Sequence, residues 1–246
     1  MYSPIQDGIE KTVQSVLYTE AKPLSNLSRL VHCFWELKTD TALPDDFCLH
    51  ALPDACVNIL FNQADTKIAG ITALRTTYTA LNLGKAFHYV GIQFLPGVWQ
   101  GNRDEIVGSF VGTPYLGSLP LIETSSQLAK LDFFAKQAVL SELVQRLIDE
   151  KVVAANAVTE KILTSIDDIH TVADMAAVTA MSPRQLQRTL KRTTGFSPHD
   201  LLKVLRLQQS FRQHYLESYT DQSHFIHSFR KITGYTPAKY SSKFDV

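Results

Sequence analysis

SPRQLQRTLKRTTGFSP is the sequence of residues 182–198, and its pattern returns 39 positions later as DQSHFIHSFRKITGYTP at residues 221–237. The two segments align without a gap, and apolar, basic, glycine and proline positions coincide along the alignment. A repeat of this kind indicates one structural unit that is used twice.

Each copy predicts a helix with a defined start and end. Ser182 and Asp221 are residue types that accept hydrogen bonds from the free amides of a first helical turn. Pro183 suits the first helical position, where its missing N–H is not needed. Gly195 and Gly234 predict left-handed residues that end the two helices.

The first predicted helix has one apolar face and one basic face. Leu186 and Leu190 are four residues apart, so they lie on the same side, as Phe225 and Phe229 do in the second copy. The opposite side of the first copy carries four polar residues at helical spacing, which are Arg184, Gln187, Arg188 and Lys191. Arginine can pair with guanine and glutamine with adenine in a major groove. The alternative is a basic face that is simply solvated.

A short amphipathic segment, TVADMAAV at residues 171–178, precedes the first copy. Thr171 can cap it, and its small alanines allow close helix crossing. Residues 179–181 form a short turn before Ser182. The two helices and this turn predict a helix-turn-helix unit.

The net charge of zero conceals two unlike halves. Residues 1–158 contain 12 Lys/Arg and 16 Asp/Glu, whereas residues 159–246 contain 12 and 8. Within residues 182–243 the counts are 11 and 3, a net charge of +8. The basic excess coincides with the repeat, as a phosphate-binding surface requires.

The tract DQSHFIHSFRKITGYTPAKY, together with the upstream RQLQRTLKRTTGFSP, resembles the DNA-binding domain of the AraC/XylS family of bacterial transcription regulators over residues 159–241. The resemblance implies two helix-turn-helix units that present recognition helices to successive major grooves of double-stranded DNA. The base-reading positions that it implies are Arg184, Gln187 and Arg188 in the first unit, and Gln222, Ser223 and His227 in the second. We also predict phosphate contacts from four basic residues, which are Lys191, Arg192, Arg230 and Lys231.

The second unit departs from the family pattern. Pro198 and Ser223 are 25 positions apart, which is about ten residues, or roughly three helical turns, fewer than two complete units need. SFRQHYLE at residues 210–217 stands where TVADMAAV stands in the first unit, and it has bulky residues in place of the small set. We therefore predict a shortened second unit in which the linker helix and the unit's first helix are fused.

The N-terminal half predicts a β-rich domain. Its strand candidates are β-branched or aromatic, about ten residues apart, and separated by Pro, Asp, Asn or Gly. They are TVQSVLY (12–18), the end of LSNLSRLVHCFWELK (24–38), FCLHAL (47–52), CVNILFN (56–62), TKIAGIT (66–72), TTYTALNL (76–83) and FHYVGIQFL (87–95). Such a series favours a sandwich or small barrel, and the overall class is α+β.

Residues 126–150 predict one long amphipathic helix, with apolar residues at helical spacing. They include Leu128, Leu131, Phe134, Ala138, Leu140, Leu143, Leu147 and Ile148. One interpretation is that this apolar stripe packs against its own domain. The alternative is that it also forms a homodimer interface.

LVHCFWELK, LPDACVNILFN and HYVGIQFLPG are similar to the β-rich N-terminal domain of a subset of these regulators. This weaker resemblance implies a domain that senses a small-molecule effector or dimerises. The predicted division is residues 1–158 for a regulatory or dimerisation domain and residues 159–246 for the DNA-binding domain.

The composition, with 45% apolar and 20% charged residues, is that of a soluble globular protein. No apolar run is long enough to span a bilayer, so no membrane partner is predicted. Three cysteines in a long chain favour a cytoplasmic location.

Other chemistry has little support in the sequence. The pairs His32-Cys33 and Cys48-His50 match no zinc spacing, and no local motif supports catalysis, so we predict no metal, no cofactor and no enzyme activity. Trp35, Phe94 and Trp99 are candidates to line an apolar pocket in the β-rich domain, and core packing is the alternative. Two other functions stay open, a small-molecule-binding or enzymatic β-barrel, and a protein-interaction regulator whose second unit no longer binds DNA tightly.

Overall fold

The computed structural model describes residues 2–5, 7–72, 74–107, 112–211 and 222–245. Ten strands lie within these ranges. They are β1 (Asp7–Glu10), β2 (Val16–Ala21), β3 (Val31–Thr39), β4 (Phe47–Ala51), β5 (Val57–Asn62), β6 (Ala69–Thr72), β7 (Thr79–Gly84), β8 (His88–Phe94), β9 (Ile106–Val107) and β10 (Phe244–Asp245).

The strands form two open sheets. One has the order β10-β1-β4-β7, and the other has the order β2-β3-β8-β5-β6-β9. Nearly all pairings are antiparallel, and β6 with β9 is parallel. The predicted α+β class with a β-rich N-terminal domain is confirmed, and the described strands close into no barrel.

The two faces of the six-stranded sheet bury different cores, because neighbouring side chains of a strand point in opposite directions. Trp35 and Leu37 face the four-stranded sheet, where they pack with Phe47 and Leu49. Phe34 points to the other side and packs with residues of the two helices that cover the sheet.

The prediction of one helix over residues 126–150 is wrong in its boundaries. The structure has two helices there, α1 (Leu121–Leu128) and α2 (Phe133–Asp149). Asp132 separates them because its carboxylate accepts a hydrogen bond from the Ala135 amide and so caps a new helix.

The apolar stripe of α2 packs against its own domain. Leu140, Leu143 and Leu147 are buried in the core beneath the sheet. Phe134, which the sequence places in the same stripe, is instead 84% exposed.

Within the described residues, six further α-helices follow α2. They are α3 (Ala157–Thr164), α4 (Val172–Thr179), α5 (Pro183–Thr193), α6 (Pro198–Ser210), α7 (Gln222–Thr233) and α8 (Pro237–Lys243). Helices α3 to α6 enclose one apolar core, and α7 and α8 enclose another with the end of α6.

The helical part of the chain is joined to the β-rich part by backbone and side-chain hydrogen bonds. Strand β10 pairs with β1, so the last described residues extend the four-stranded sheet. Gln208 of α6 donates to the carbonyl oxygens of Ile5 and Pro53 at 2.9 and 2.8 Å, and it accepts from the Ile5 amide at 2.7 Å. Tyr2 contributes its ring to the α3–α6 core.

Candidate nucleic-acid interface

Helices α4 and α5 form the predicted helix-turn-helix. Thr171 and Asp174 make a capping box at the start of α4. The turn is closed by Ala180, which has φ 54° and ψ 40° and donates from its amide to the end of α4. Met175 and Ala176 of α4 are buried in the core of the helical part.

The first recognition helix, α5, is held at both ends. The Ser182 hydroxyl accepts from the Gln185 amide, and the Gln185 side chain accepts from the Ser182 amide. At the other end Gly195 has φ +81°, as predicted. Leu186 and Leu190 are completely buried, so the helix cannot rotate about its axis without exposing its apolar side.

The opposite face of α5 is open to solvent. Arg184, Gln187 and Arg188 are all exposed. Within the described part of the chain, their side chains make no hydrogen bond or ion pair. The geometry therefore brings together two guanidinium groups and one amide on a rigid helix, with their donors available to a ligand.

The predicted phosphate-contacting residues of this unit lie at the end of α5. Lys191 and Arg192 are exposed. The Lys191 ammonium donates to the Gly195 carbonyl oxygen at 2.9 Å. That contact places a cation at the C-terminal end of the helix, where it offsets the helix dipole.

The second recognition helix is α7. Its Phe225 and Phe229 are buried, whereas Ser223 and His227 are exposed. Gln222 is the first residue of α7. The predicted cap Asp221 lies outside the described residues.

Basic residues follow on α7 at the positions that the repeat predicts. Arg230 and Lys231 are exposed in the last turn, and Gly234 has φ +80°. The fused first helix predicted at residues 210–217 falls mostly on residues 212–221, which lie outside the described ranges, so the shortened second unit stays a prediction.

The β-rich domain contacts both recognition helices at their C-terminal ends. Arg103 donates through its guanidinium to the carbonyl oxygens of Lys191 and Arg192 in α5. The Tyr78 amide donates to the Ile232 carbonyl oxygen of α7 at 2.8 Å.

The glycines that end the two recognition helices lie at these contacts with the β-rich domain. A Cβ atom on Gly195 would lie 3.1 Å from the Arg103 guanidinium, and one on Gly234 would lie 2.9 Å from the Tyr78 ring. Gly195 and Gly234 are equivalent in the repeat, so the β-rich domain contacts both copies of the repeated segment at the same position. No local sequence signal marks Arg103 or Tyr78, because their partners lie far along the chain.

His50 is the centre of the contact with α7 and α8. Its Nε2 donates to the Thr233 carbonyl oxygen at 2.9 Å, and its ring stacks on Tyr78 and Phe244. Burial lowers the pKa of His50 below its ordinary value of 6.5, although the hydrogen bond to Thr233 acts in the other direction. The sequence analysis considered His50 only as a metal ligand and predicted no metal, whereas the structure makes it part of the interface between the two domains.

A basic cleft between α6 and α7 was not predicted. It has a volume of about 350 Å³ and is lined by Lys203, Arg206, His227 and Lys231 as well as apolar residues. Lys203 and Arg206 are partly exposed on α6. Their charge adds to that of the second recognition helix, which suits contact with phosphates.

The three aromatic pocket candidates do not come together. Trp35 lies in the core between the sheets, and its indole N–H donates to Asn58 at 3.3 Å. Phe94 and Trp99 pack with ring centroids 6.0 Å apart on the other side of the six-stranded sheet. The prediction of one pocket lined by all three is wrong, because Trp35 and Phe94 lie on opposite faces of the sheet.

In the described ranges, no three His, Cys, Asp or Glu side chains are grouped as a metal site would require. Within the ranges that the structure describes, no disulfide joins Cys33, Cys48 or Cys56. His32 and Cys33, which adjoin in the sequence, both contact the Gln93 side chain.

Comparison with known proteins gives two matches. A family model described as a helix-turn-helix domain matches residues 175–243. A second model, described as a domain of unknown function (DUF6597), matches residues 19–105. Neither the curated proteins nor the solved structures include a match to this chain.

The capped α4–α5 pair, the repeated α7 and the first of these matches define a DNA-binding helix-turn-helix protein. Together with the β-rich N-terminal domain, these features are consistent with a transcription regulator of the AraC family. Among the described residues, none of the helices combines the length and the apolar character that crossing a membrane requires.

Proposed function

We propose that this regulator recognises a specific DNA sequence chiefly through α5, with Arg184, Gln187 and Arg188 contacting base edges in a major groove. The observation that carries the proposal is the exposed face of α5, where these side chains project from a helix that is capped and buried on its other side. Arginine and glutamine can each form two hydrogen bonds with one base, so rigid placement of the helix converts them into sequence preference.

The remaining basic residues would position the protein on the DNA backbone. Lys191, Arg192, Arg230 and Lys231 are exposed at the ends of α5 and α7, and phosphate contacts set register without selecting sequence. The lining of the cleft between α6 and α7 adds Lys203 to this set. Gln222, Ser223 and His227 would read the second, weaker half of the site.

Under this proposal residues 159–246 bind DNA, and residues 1–158 regulate that binding in response to a small molecule. The hydrogen bonds from Arg103 and Tyr78 to the two recognition helices support such coupling. A homodimer would improve selection of a short site by tethering two readers. The candidate surface for this homodimer is the outer side of α2 around Phe134. Sedimentation of the whole protein as a strict monomer would exclude the homodimer.

The experiment is selection of binding sites from a pool of randomised DNA duplexes with the full chain. We expect enrichment of one short motif. The variant Arg184→Ala/Gln187→Ala/Arg188→Ala should retain its fold and enrich no motif, or a degenerate one.

A matched control removes two positive charges and one glutamine elsewhere. Lys67, Gln127 and Lys130 are exposed on the β-rich domain, so their triple alanine variant should enrich the wild-type motif. Absence of any enriched motif for the wild type would contradict the proposal and favour a protein-interaction role. Turnover of a small molecule by the purified protein would instead favour the enzymatic alternative.

A further inference from the structure

A cavity of about 480 Å³ lies between the β-rich domain and α3. Its volume is within the range of ligand pockets. Val31, Leu95 and Val98 supply apolar wall from the β-rich side, and Leu163 supplies it from α3. The cavity is mainly apolar, and it is not the aromatic pocket that the sequence suggested.

The polar side of this cavity is organised by a chain of hydrogen bonds. Lys22 Nζ lies 3.2 Å from His32 Nε2, and His32 Nδ1 lies 2.6 Å from Gln93 Oε1. Gln93 Nε2 donates to Asp54 Oδ2 at 2.7 Å, and the Cys56 amide donates to Asp54 Oδ1 at 3.0 Å.

These contacts define the role of each ring nitrogen of His32. The side-chain nitrogen of Gln93 donates to Asp54, so the side-chain oxygen of Gln93 is the atom that faces His32. Because this oxygen can only accept, His32 Nδ1 must carry a proton. His32 Nε2 then accepts from the Lys22 ammonium. The buried network therefore holds Lys22 at the cavity and leaves two further ammonium donors for another partner.

Lys22 also gives this side of the cavity its charge. The other cation in the lining, Arg29, is paired with Glu160 by two hydrogen bonds of 2.9 and 2.7 Å. In the part of the chain that the structure describes, no carboxylate forms an ion pair with Lys22. An apolar cavity with one such ammonium group is complementary to an apolar molecule that carries one negative charge.

The cavity borders both domains. Arg29 precedes β3, and its partner Glu160 lies on α3, so their salt bridge crosses the cavity from one domain to the other. Helix α3 packs against α4, the first helix of the helix-turn-helix. A molecule seated against Leu163 and Lys22 would contact both domains at once.

We propose that this cavity binds a small amphiphilic carboxylate, whose apolar body packs against Val31, Val98 and Leu163 and whose carboxylate binds Lys22. We further propose that its occupancy changes the affinity for DNA through α3. This second part rests on the proposed function, whereas the first part does not.

Calorimetry on the full chain tests the cavity directly, with benzoate and octanoate as probes and benzamide and octanamide as their uncharged counterparts. We expect saturable binding of at least one carboxylate at a single site, about tenfold tighter than its amide. Lys22→Gln should abolish that preference, and Lys22→Glu should reverse it. Lys130→Gln, which neutralises an exposed lysine elsewhere on the β-rich domain, should preserve the preference.

Three results would overturn the binding site. They are no saturable binding of either carboxylate, equal binding of acid and amide, or a preference that survives Lys22→Gln. Because Lys22 is exposed, its replacement should not unfold the protein, and thermal unfolding of each variant checks this.

The regulatory part is tested on the selected DNA site, by measuring affinity with and without the carboxylate. A changed affinity in the wild type and an unchanged one in Lys22→Gln support it. Lys22-dependent carboxylate binding that leaves DNA affinity constant would refute the coupling and keep the site. If no DNA motif is selected, the proposed function fails while calorimetry still decides the cavity.

Discussion

The Tyr78 amide donates to the carbonyl oxygen of Ile232 at 2.8 Å, so a loop of the β-rich domain is hydrogen-bonded to the last turn of the second recognition helix. Arg103 makes the equivalent contact with the first recognition helix. Backbone carbonyls at a helix end have no partner within the helix. The β-rich domain thus completes the ends of both helices and limits how they can move relative to one another.

The Arg103 contact predicts a local effect on stability. Arg103→Ala should lower the free energy of unfolding by about 0.3–1 kcal/mol, because a cation at the end of α5 is lost. Arg103→Lys should retain part of this stabilisation, because lysine keeps the charge but lacks the forked geometry of the guanidinium. Hydrogen exchange should accelerate at residues 194–196 and remain as in wild type in α2. Unchanged exchange near Gly195 in Arg103→Ala would show that the contact does not restrain the helix.

His50 predicts a dependence of stability on pH. Its pKa is lowered mainly by burial and also by Lys243, while Thr233 and Glu10 oppose this. The unfolded chain therefore binds a proton at a higher pH than the folded chain does, and stability is lost as pH falls below 6.5. Urea unfolding between about pH 7 and 5 should show this loss in the wild type, and His50→Gln should reduce it.

The matched control for His50 is His199→Gln, because His199 is exposed on α6. It should retain the wild-type pH dependence. If His50→Gln and His199→Gln have the same pH profile as the wild type, protonation of His50 does not weaken the interface.

Glu36 predicts a second pH effect at lower pH. Burial would raise the pKa of this carboxyl, but hydrogen bonds from Lys136, His88 and Lys38 outweigh burial and lower it to about 2. Its contribution to stability is therefore present above the unfolded value of 4.5 and is lost as pH falls from there towards 2. Glu36→Gln should flatten the acid limb of the stability profile.

The shortest of these contacts joins α2 to β3. The Lys136 ammonium of α2 lies 2.7 Å from Glu36 of β3, and both side chains are buried. Lys136→Met should cost about 3 kcal/mol at neutral pH, because it leaves a buried carboxylate with fewer partners. Lys130→Met, on exposed surface, is the control and should have little effect. Equal stabilities of the two variants would mean that the buried pair contributes nothing net.

The face of α5 predicts two kinds of DNA-binding defect. Arg188→Ala should cost about 1–3 kcal/mol on the selected site and relax preference at one base pair. Lys191→Ala should weaken binding to all sequences alike and reduce the salt slope by about one unit. Titrations on specific and random duplexes at several salt concentrations distinguish them. Identical behaviour of both variants on both duplexes would refute the division of this face into base-reading and phosphate-contacting residues.

The two recognition helices should contribute unequally. The first unit has a capped α4, a short turn and a capped α5, so we expect its helix to be held rigidly when it enters a groove. The second is predicted to follow a segment that is too short for a complete unit, so we expect its helix to be placed less well in the next groove, about 34 Å away.

Two alanine sets on the selected site test this inequality. One replaces Arg184, Gln187 and Arg188, and the other replaces Gln222, Ser223 and His227. The loss of binding free energy should be larger for the first set, by more than about 1.4 kcal/mol, which is a tenfold change in affinity. Equal losses would mean that the short second unit docks as a full one does.

Local sequence determined the elements that depend on near neighbours. Ser182, Pro183 and Gly195 define the bounds of α5, and the capping box and the φ of +81° are both observed. The 39-residue repeat placed α7 in the same way. Strand candidates matched β4, β5 and β8 closely, because alternating β-branched and aromatic residues have few other stable arrangements. These features are set by interactions within a few residues, so the sequence contains them directly.

Tertiary structure decided how these elements meet. His50 and Thr233 are 183 positions apart, and Arg103 and Lys191 are 88 apart, so no local pattern links them. The same holds for the path from Lys22 through His32 and Gln93 to Asp54, which joins side chains from separate strands and loops. The sequence by itself determined that this chain has a helix-turn-helix with a basic recognition face. Only the packing of the two domains, through contacts between distant residues, decided that the β-rich domain contacts both recognition helices and forms a cavity with α3.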